Sequence, residues 1–189
     1  MSSIANQTMI LTAPFANHPE DHSQECFYKG ATLSSVTSLS INPKPLLQFN
    51  LQIPSMTSDL LHDFEIFGIH ILPPTQESAD LAKLFSKARV YNVEKSKYEP
   101  VSPFSSLELG KDYELIEIKG AGNDKIELPI LKNVEKLLIC CKFKHFEIQD
   151  HEIWIGEIKE VREFIKNVEK SGGLLNFNRN FHIIGEKIE

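Results

Sequence analysis

Five hydroxyls, from Ser34, Ser35, Thr37, Ser38 and Ser40, sit among Leu33, Val36, Leu39 and Ile41 in one short stretch of this 189-residue chain. A buried strand needs no such density of hydroxyls. Asn42-Pro43 and Pro45 then punctuate the chain, because proline donates nothing to a ladder and restricts the residue before it. Leu47, Phe49, Leu51 and Ile53 next alternate with Gln48, Asn50 and Gln52, the period-two pattern of a half-buried strand. A further hydroxyl-bearing loop, Pro54 to Ser58, follows directly. Together these present neutral hydrogen-bond groups beside one apolar strand face, which suits a planar, polar-edged ligand with a phosphate tail. The plainer reading is a solvated sheet face, where serine and threonine are common.

Other side chains with chemical potential are scattered. His151 follows Asp150, and an imidazole can anchor an amide or a phosphate near neutral pH. Arg179, in the run Asn176 to Arg179, has the fork geometry that grips a phosphate. Each reads equally well as a surface residue. His18 and His22 stand four apart, a zinc spacing on a helix, but Pro19 spoils that helix and no metal is expected. Cys26, Cys140 and Cys141 lack zinc-site spacing. The last two are adjacent in an expected strand and point to opposite faces, so reduced thiols are expected. Gly120 to Asp124 is a turn signal rather than a dinucleotide fingerprint, lacking the third glycine and the helix. Nothing resembles a nucleophile–base pair.

The elements that must position these residues are mostly short strands. Strands are expected around Met9–Thr12, Thr32–Ile41, Leu46–Ile53, Phe67–Ile71, Tyr113–Lys119, Leu137–Ile148, Glu152–Ile158 and Leu174–Ile184. The long strand from Leu137 changes its apolar face near Lys144-His145, which predicts a bulge. The strand from Glu152 is expected to break at Gly156. Leu81, Leu84, Phe85 and Ala88 have the stripe of an amphipathic helix, as do Val161, Phe164, Ile165 and Val168. A helical turn is expected at Ser58–His62, and a long irregular connection from Tyr91 to Asp112. Many strands, two helices and no alternating βαβ pattern predict a mainly β fold, a closed antiparallel barrel with flanking helices.

Size and charge bound the rest. The length fits one domain, able to bury roughly 70% of the surface its unfolded chain exposes. A net charge of −6 argues against nucleic acid, whose binders need a basic patch. The longest apolar runs, such as Leu137 to Cys141, are too short to span a membrane. The first 28 residues contain no Lys or Arg, which argues against a secretory signal or a basic presequence. A cytoplasmic home is expected, a mitochondrial one if a presequence has been removed.

The segment Gly30 to Ser40, its proline break and the following Leu46-Leu47-Gln48-Phe49-Asn50 resemble the signature of the flavin reductase-like family. Asp150-His151 before Gly156-Glu157, and Leu174 to Arg179, agree with that family and fall in the right order. The resemblance runs from about Lys29 to His182, is weak between about Val90 and Glu127, and leaves residues 1–28 as a poorly defined N-terminal segment before a domain spanning 29–189. It implies an antiparallel Greek-key split β-barrel of the FMN-binding type, and a homodimer with flavin at the seam. The implied activity is hydride transfer from NAD(P)H to FMN, with FAD as the alternative cofactor. The implied cradle is Thr32, Ser34, Ser35, Val36 and Thr37, with Phe49 and Asn50 from the neighbouring strand and Ser55 and Thr57 near the phosphate. His151 is the implied catalytic or substrate-side residue and Arg179 a substrate-binding one. One departure stands out: Leu51 to Pro54 lacks the basic residues that related sequences often place there. Lys29, Lys83 or Arg89 are the candidates to replace them. The rival reading is a non-catalytic flavin-binding or interaction protein on the same scaffold.

Overall fold

The alternation of Leu47, Phe49 and Leu51 holds in the computed structural model, which describes residues 3–15, 28–87, 89–92, 97–100, 102–119, 125–165 and 173–185. In chain order the strands are β1 (Asn6–Ala13), β2 (Lys29–Leu33), β3 (Thr37–Ser40), β4 (Leu46–Gln52) and β5 (Ile66–Ile71). They continue with β6 (Arg89–Asn92), β7 (Lys97–Pro100), β8 (Tyr113–Lys119), β9 (Lys125–Leu131), β10 (Lys136–Ile148) and β11 (His151–Glu163). The last two are β12 (Leu174–Phe177) and β13 (Asn180–His182). Helix α1 covers Met56–Phe64, helix α2 covers Gln76–Phe85, and a 3-10 turn covers Pro103–Ser106.

The main sheet runs β13-β12-β1-β5-β10-β11-β4-β3, with β2 also paired to β1. Strands β2 and β3 therefore lie at the two ends of the path β2-β1-β5-β10-β11-β4-β3, although they are consecutive in the chain. Residues 34–36 bridge them, and the Asn50 N–H donates to Ser35 Oγ at 2.9 Å across the seam. The barrel is closed by a short link rather than a full ladder, which is a split barrel. Its interior is filled by Met9, Leu11, Leu33, Leu47, Phe49, Leu51, Phe67, Ile69 and Trp154, capped by Leu61 of α1. A second cluster joins α2 to the β8–β9 hairpin through Ala82, Phe85, Phe104, Tyr113 and Leu131.

Several local expectations change. Residues 6–13, in the poorly marked N-terminal stretch, form β1, which pairs with β2, β5 and β12. The stretch expected as one strand from Thr32 breaks at Ser34 into β2 and β3. The helical turn at Ser58 is a nine-residue helix whose cap is Ser55, its side chain accepting the Ser58 N–H. The connection from Tyr91 holds the end of β6 and all of β7, which pair as a hairpin, and the 3-10 turn. Strand β11 does not break at Gly156, where a Cβ would stand 2.6 Å from the Phe67 ring; only glycine lets that ring lie against the strand. It continues to Glu163, so Val161 lies in a strand and not a helix; residues 166–172 lie outside the described residues. Two bulges interrupt the β10–β11 ladder. Lys159 is the extra residue between the pairs Cys140–Ile158 and Ile139–Glu160, and Phe143 is the extra one on β10. The final strand is a hairpin turning at Asn178 and Arg179, both at positive φ. Cys140 and Cys141 are free thiols, and burial pushes the Cys140 thiol well above its usual range. Cys26, His18, His22 and Gly120–Asp124 lie outside the described residues.

His70 of β5 is fully buried. Its Nδ1 lies 3.1 Å from the Ile10 carbonyl and carries the proton, while Nε2 accepts the Leu131 N–H at 3.1 Å. A second proton would set an N–H against that donor. Burial lowers its pKa to about 4, against the opposing pull of the Ile10 bond. The unfolded chain, titrating near 6.5, then binds the extra proton first. Stability is therefore full above pH 6.5 and is lost as pH falls toward 4. Chemical denaturation is expected to give about 2 kcal/mol less stability at pH 5 than at pH 7; equal values would contradict a neutral buried imidazole.

Candidate functional site

Where the barrel seam meets the two helices, the wall opens into a cleft of about 640 Å³, within the usual range for small-molecule sites. Lys29 to Leu33 of β2 form one side, and Asn50, Leu51 and Gln52 of β4 the other. Ser55, Met56 and Thr57 place the N-terminus of α1 at one end, and Phe85, Ser86 and Lys87 bring in the C-terminal end of α2. An adjoining cleft of about 530 Å³ shares Thr32 and Ser86 with the first and adds Thr8, Ser34, Lys83 and Arg179. Gly30 lets β2 lie close to β1 and to α2: a Cβ there would stand 2.5 Å from the Leu11 carbonyl and 2.7 Å from the Phe85 ring.

Among the residues singled out in the sequence, Thr32, Asn50, Ser55 and Thr57 line the first cleft, and Thr32, Ser34 and Arg179 the second. Thr32 Oγ1 donates to the Ala82 carbonyl at 2.6 Å, so this hydroxyl also ties β2 to α2. Ser35 receives the Asn50 N–H and fastens the seam rather than lining a cleft. Thr37 is exposed on β3, opposite Gln48, and Val36 packs against the barrel interior. Phe49 requires a correction. Its ring is completely covered, lying edge-on to Phe67 and parallel to Trp154, so it cannot touch a ligand. The alternation that identified β4 also sets Phe49 inward and Asn50 outward, and only Asn50 reaches the cleft.

His151 begins β11 opposite Gln52, one strand away from the cleft wall. It is about half exposed, with Nδ1 2.9 Å from Asp150 Oδ1. Its hydrogen bond and that of the Asp150 backbone hold the Asp150 carboxyl below the usual range.

The basic residues missing from Leu51–Pro54 reappear from elsewhere. Lys29 and Lys87 line the first cleft, Lys83 and Arg179 the second. Lys83 also pairs with Asp80 at 3.0 Å, an exposed pair worth little. Lys87 carried no signal in the sequence, because its place depends on how α2 docks on β2. The Arg89 side chain lies outside the described residues.

Sequence reasoning also passed over a buried polar cluster behind α1. The carboxylate of Glu152 in β11 is almost fully enclosed. Its Oε2 accepts the Trp154 Nε1–H at 2.8 Å and the Ser58 hydroxyl, and its Oε1 lies 2.7 Å from His62 Nε2. Burial alone would raise this carboxyl, but the bonds from Ser58, His62 and Trp154 outweigh it and hold the pKa below the usual range.

Residues 1–185 match the model of a family described as flavin reductase like domain. Solved structures with the same fold include a flavin reductase domain protein from Arthrobacter, 20% identical, at TM-score 0.67 over 100% of this chain and 93% of that one. The NADH:FAD oxidoreductase of Streptomyces globisporus is 16% identical, at TM-score 0.66 over 100% and 85%. The styrene monooxygenase flavin reductase of Pseudomonas putida is 19% identical, at TM-score 0.64 over 99% and 96%.

Proposed function

The chain belongs to the flavin reductase-like family, and we propose that it binds FMN in the paired clefts and reduces it with NAD(P)H. The observation that carries this is the composition of the clefts. Thr32, Asn50, Gln52 and Thr57 share the lining of the first cleft with the apolar Ala31, Leu51, Met56 and Phe85 and with the basic Lys29 and Lys87. A flavin ring offers carbonyls and nitrogens at its edge, which neutral donors and acceptors satisfy without adding charge. The first N–H groups of α1, beside Ser55 and Thr57, are suited to the phosphate.

Bound flavin supplies the hydride acceptor, and this chain's residues do the positioning. The clefts meet at Thr32 and Ser86, so a cosubstrate in the second lies against the occupant of the first. Arg179 holds a phosphate of that cosubstrate, and His151, one strand beyond Gln52, steadies its amide where that end reaches the first cleft. FMN is the cofactor and FAD the alternative. The protein works in the cytoplasm as one domain per chain. Among the described residues no helix is long and apolar enough to cross a membrane. A non-catalytic flavin holder is the second reading, favoured by the uncharged Leu51–Pro54 interval.

The test is anaerobic mixing of the FMN-loaded protein with NADH or NADPH. Loss of the visible flavin absorption supports the reductase; binding without reduction by either nucleotide supports the holder. Changing His151→Ala is expected to lower kcat/KM for the nucleotide five- to thirtyfold, the loss of one contact of about 1–2 kcal/mol, with flavin content unchanged. An unaltered rate would make His151 a surface residue only.

The working form is a homodimer. Phe143, Phe146 and Ile148 on β10 are exposed at 43–52%, an apolar surface that a second copy would cover. Sedimentation at micromolar concentration is expected to give a dimer burying more than about 2,000 Å² in total. A monomer would contradict it.

A further inference from the structure

We propose that His62, His145 and Glu152 form a binding site for one divalent transition-metal ion, with zinc the ion that suits them best. They come from α1, β10 and β11, and one ligand atom of each lies within 4.8 Å of the other two. No local motif joins them, since the three residues are 90 positions apart in the chain at their extremes. The rings of His62 and His145 meet edge to face at 4.6 Å between centroids.

The donor set determines the ion. Two imidazoles and one carboxylate favour zinc or a neighbouring transition metal over magnesium and calcium, which take oxygen ligands. Three protein ligands leave a fourth position for water, as in open zinc sites. Glu152 is already held for this role. Ser58 and Trp154 both donate to Oε2, which fixes the carboxylate and leaves Oε1 directed at His62. Such outer hydrogen bonds orient a ligand and commonly affect affinity as much as tenfold to hundredfold.

The metal would replace the bond between His62 Nε2 and Glu152 Oε1. Ligand atoms around a tetrahedral zinc stand about 3.3 Å apart. The 2.7 Å pair therefore opens slightly and His145 swings inward. Both histidines are only partly buried, with the His62 side chain 33% exposed, so an ion can enter. The nearby Lys142 ammonium is occupied by Glu65 at 2.9 Å and rests over the Trp154 ring. The ion would pin the C-terminal half of α1 to the β10–β11 hairpin. The other end of α1 lines the first cleft, so the ion would also steady one wall of that cleft.

The experiment is titration of zinc, and of cobalt as a coloured substitute, into the chelator-treated full chain without flavin. The expected result is one ion per chain, visible cobalt bands, and a melting midpoint raised by roughly 5–10 °C at free zinc a hundredfold above Kd. Separately, His145→Ala and Glu152→Gln should each weaken zinc binding more than about hundredfold, and Ser58→Ala by roughly ten- to hundredfold. If Glu152→Gln fails to fold, His145→Ala, at a partly buried position, decides alone. No uptake of one ion per chain, or uptake unchanged in His145→Ala, would overturn the site. Because flavin is absent throughout, neither result bears on the reductase reading.

Discussion

Phe49→Ala is expected to destabilise the barrel by about 3–5 kcal/mol, the cost of emptying an aromatic site in a closed core. The ring has no solvent exposure and is held by Phe67 at 5.3 Å and Trp154 at 6.4 Å between centroids. These partners come from β5 and β11, so the cavity would lie where three strands share one interior. Leu61 caps the same cluster from α1, and a helix cannot sink far enough to fill the void. For a chain of this size, the melting midpoint should fall by roughly 6–20 °C. Thermal unfolding of the flavin-free protein measures it directly. A ring lining the ligand cleft would behave differently, leaving the midpoint near that of the parent and changing only flavin affinity.

Lys29→Ala combined with Lys87→Ala is expected to lower FMN affinity about hundredfold. Each ammonium group at the cleft rim contributes about 1.4 kcal/mol to a charge-assisted phosphate contact, a value kept low because both groups meet solvent. The chain carries a net charge of −6, so it offers little general attraction for a phosphate, and the local pair matters more. Riboflavin, which lacks the phosphate, separates charge recognition from ring recognition. Its affinity should be nearly the same for parent and double variant. An equal loss for riboflavin and FMN would place the lysines against the ring and reassign the phosphate end.

The parts of the fold that the sequence revealed are those governed by local period. Leu47, Phe49 and Leu51 face inward because neighbouring strand residues point to opposite sides, and that pattern marks β4 without any tertiary information. The same rule fails at Val161, Phe164 and Ile165. Val161 lies in β11 and Phe164 and Ile165 follow its end, all three exposed, so apolar residues at helical spacing need not form the buried face of a helix. Strand β1 is faint in sequence because it is buried along most of its length and so shows no alternation.

The candidate site was legible only by half. Thr32, Asn50, Ser55 and Thr57 lie within one continuous segment that folds over on itself, so a local signature exposes them. Lys87 and Ser86 reach the cleft through the packing of Ala82 and Phe85 under β2, and Arg179 through a left-handed turn. These placements arise from tertiary contacts between distant segments. Glu152, His62 and His145 are hidden for the same reason, since each alone reads as an ordinary strand or helix residue.

The most direct measurement of the central claim is FMN fluorescence titrated with the parent chain, followed by anaerobic addition of NADH or NADPH. Saturable quenching at one FMN per chain, then loss of the visible flavin absorption on adding one of the two nucleotides, is the expected result. Flavin that stays fluorescent at micromolar protein, and dialyses away freely, would contradict the assignment of these clefts to a flavin reductase site.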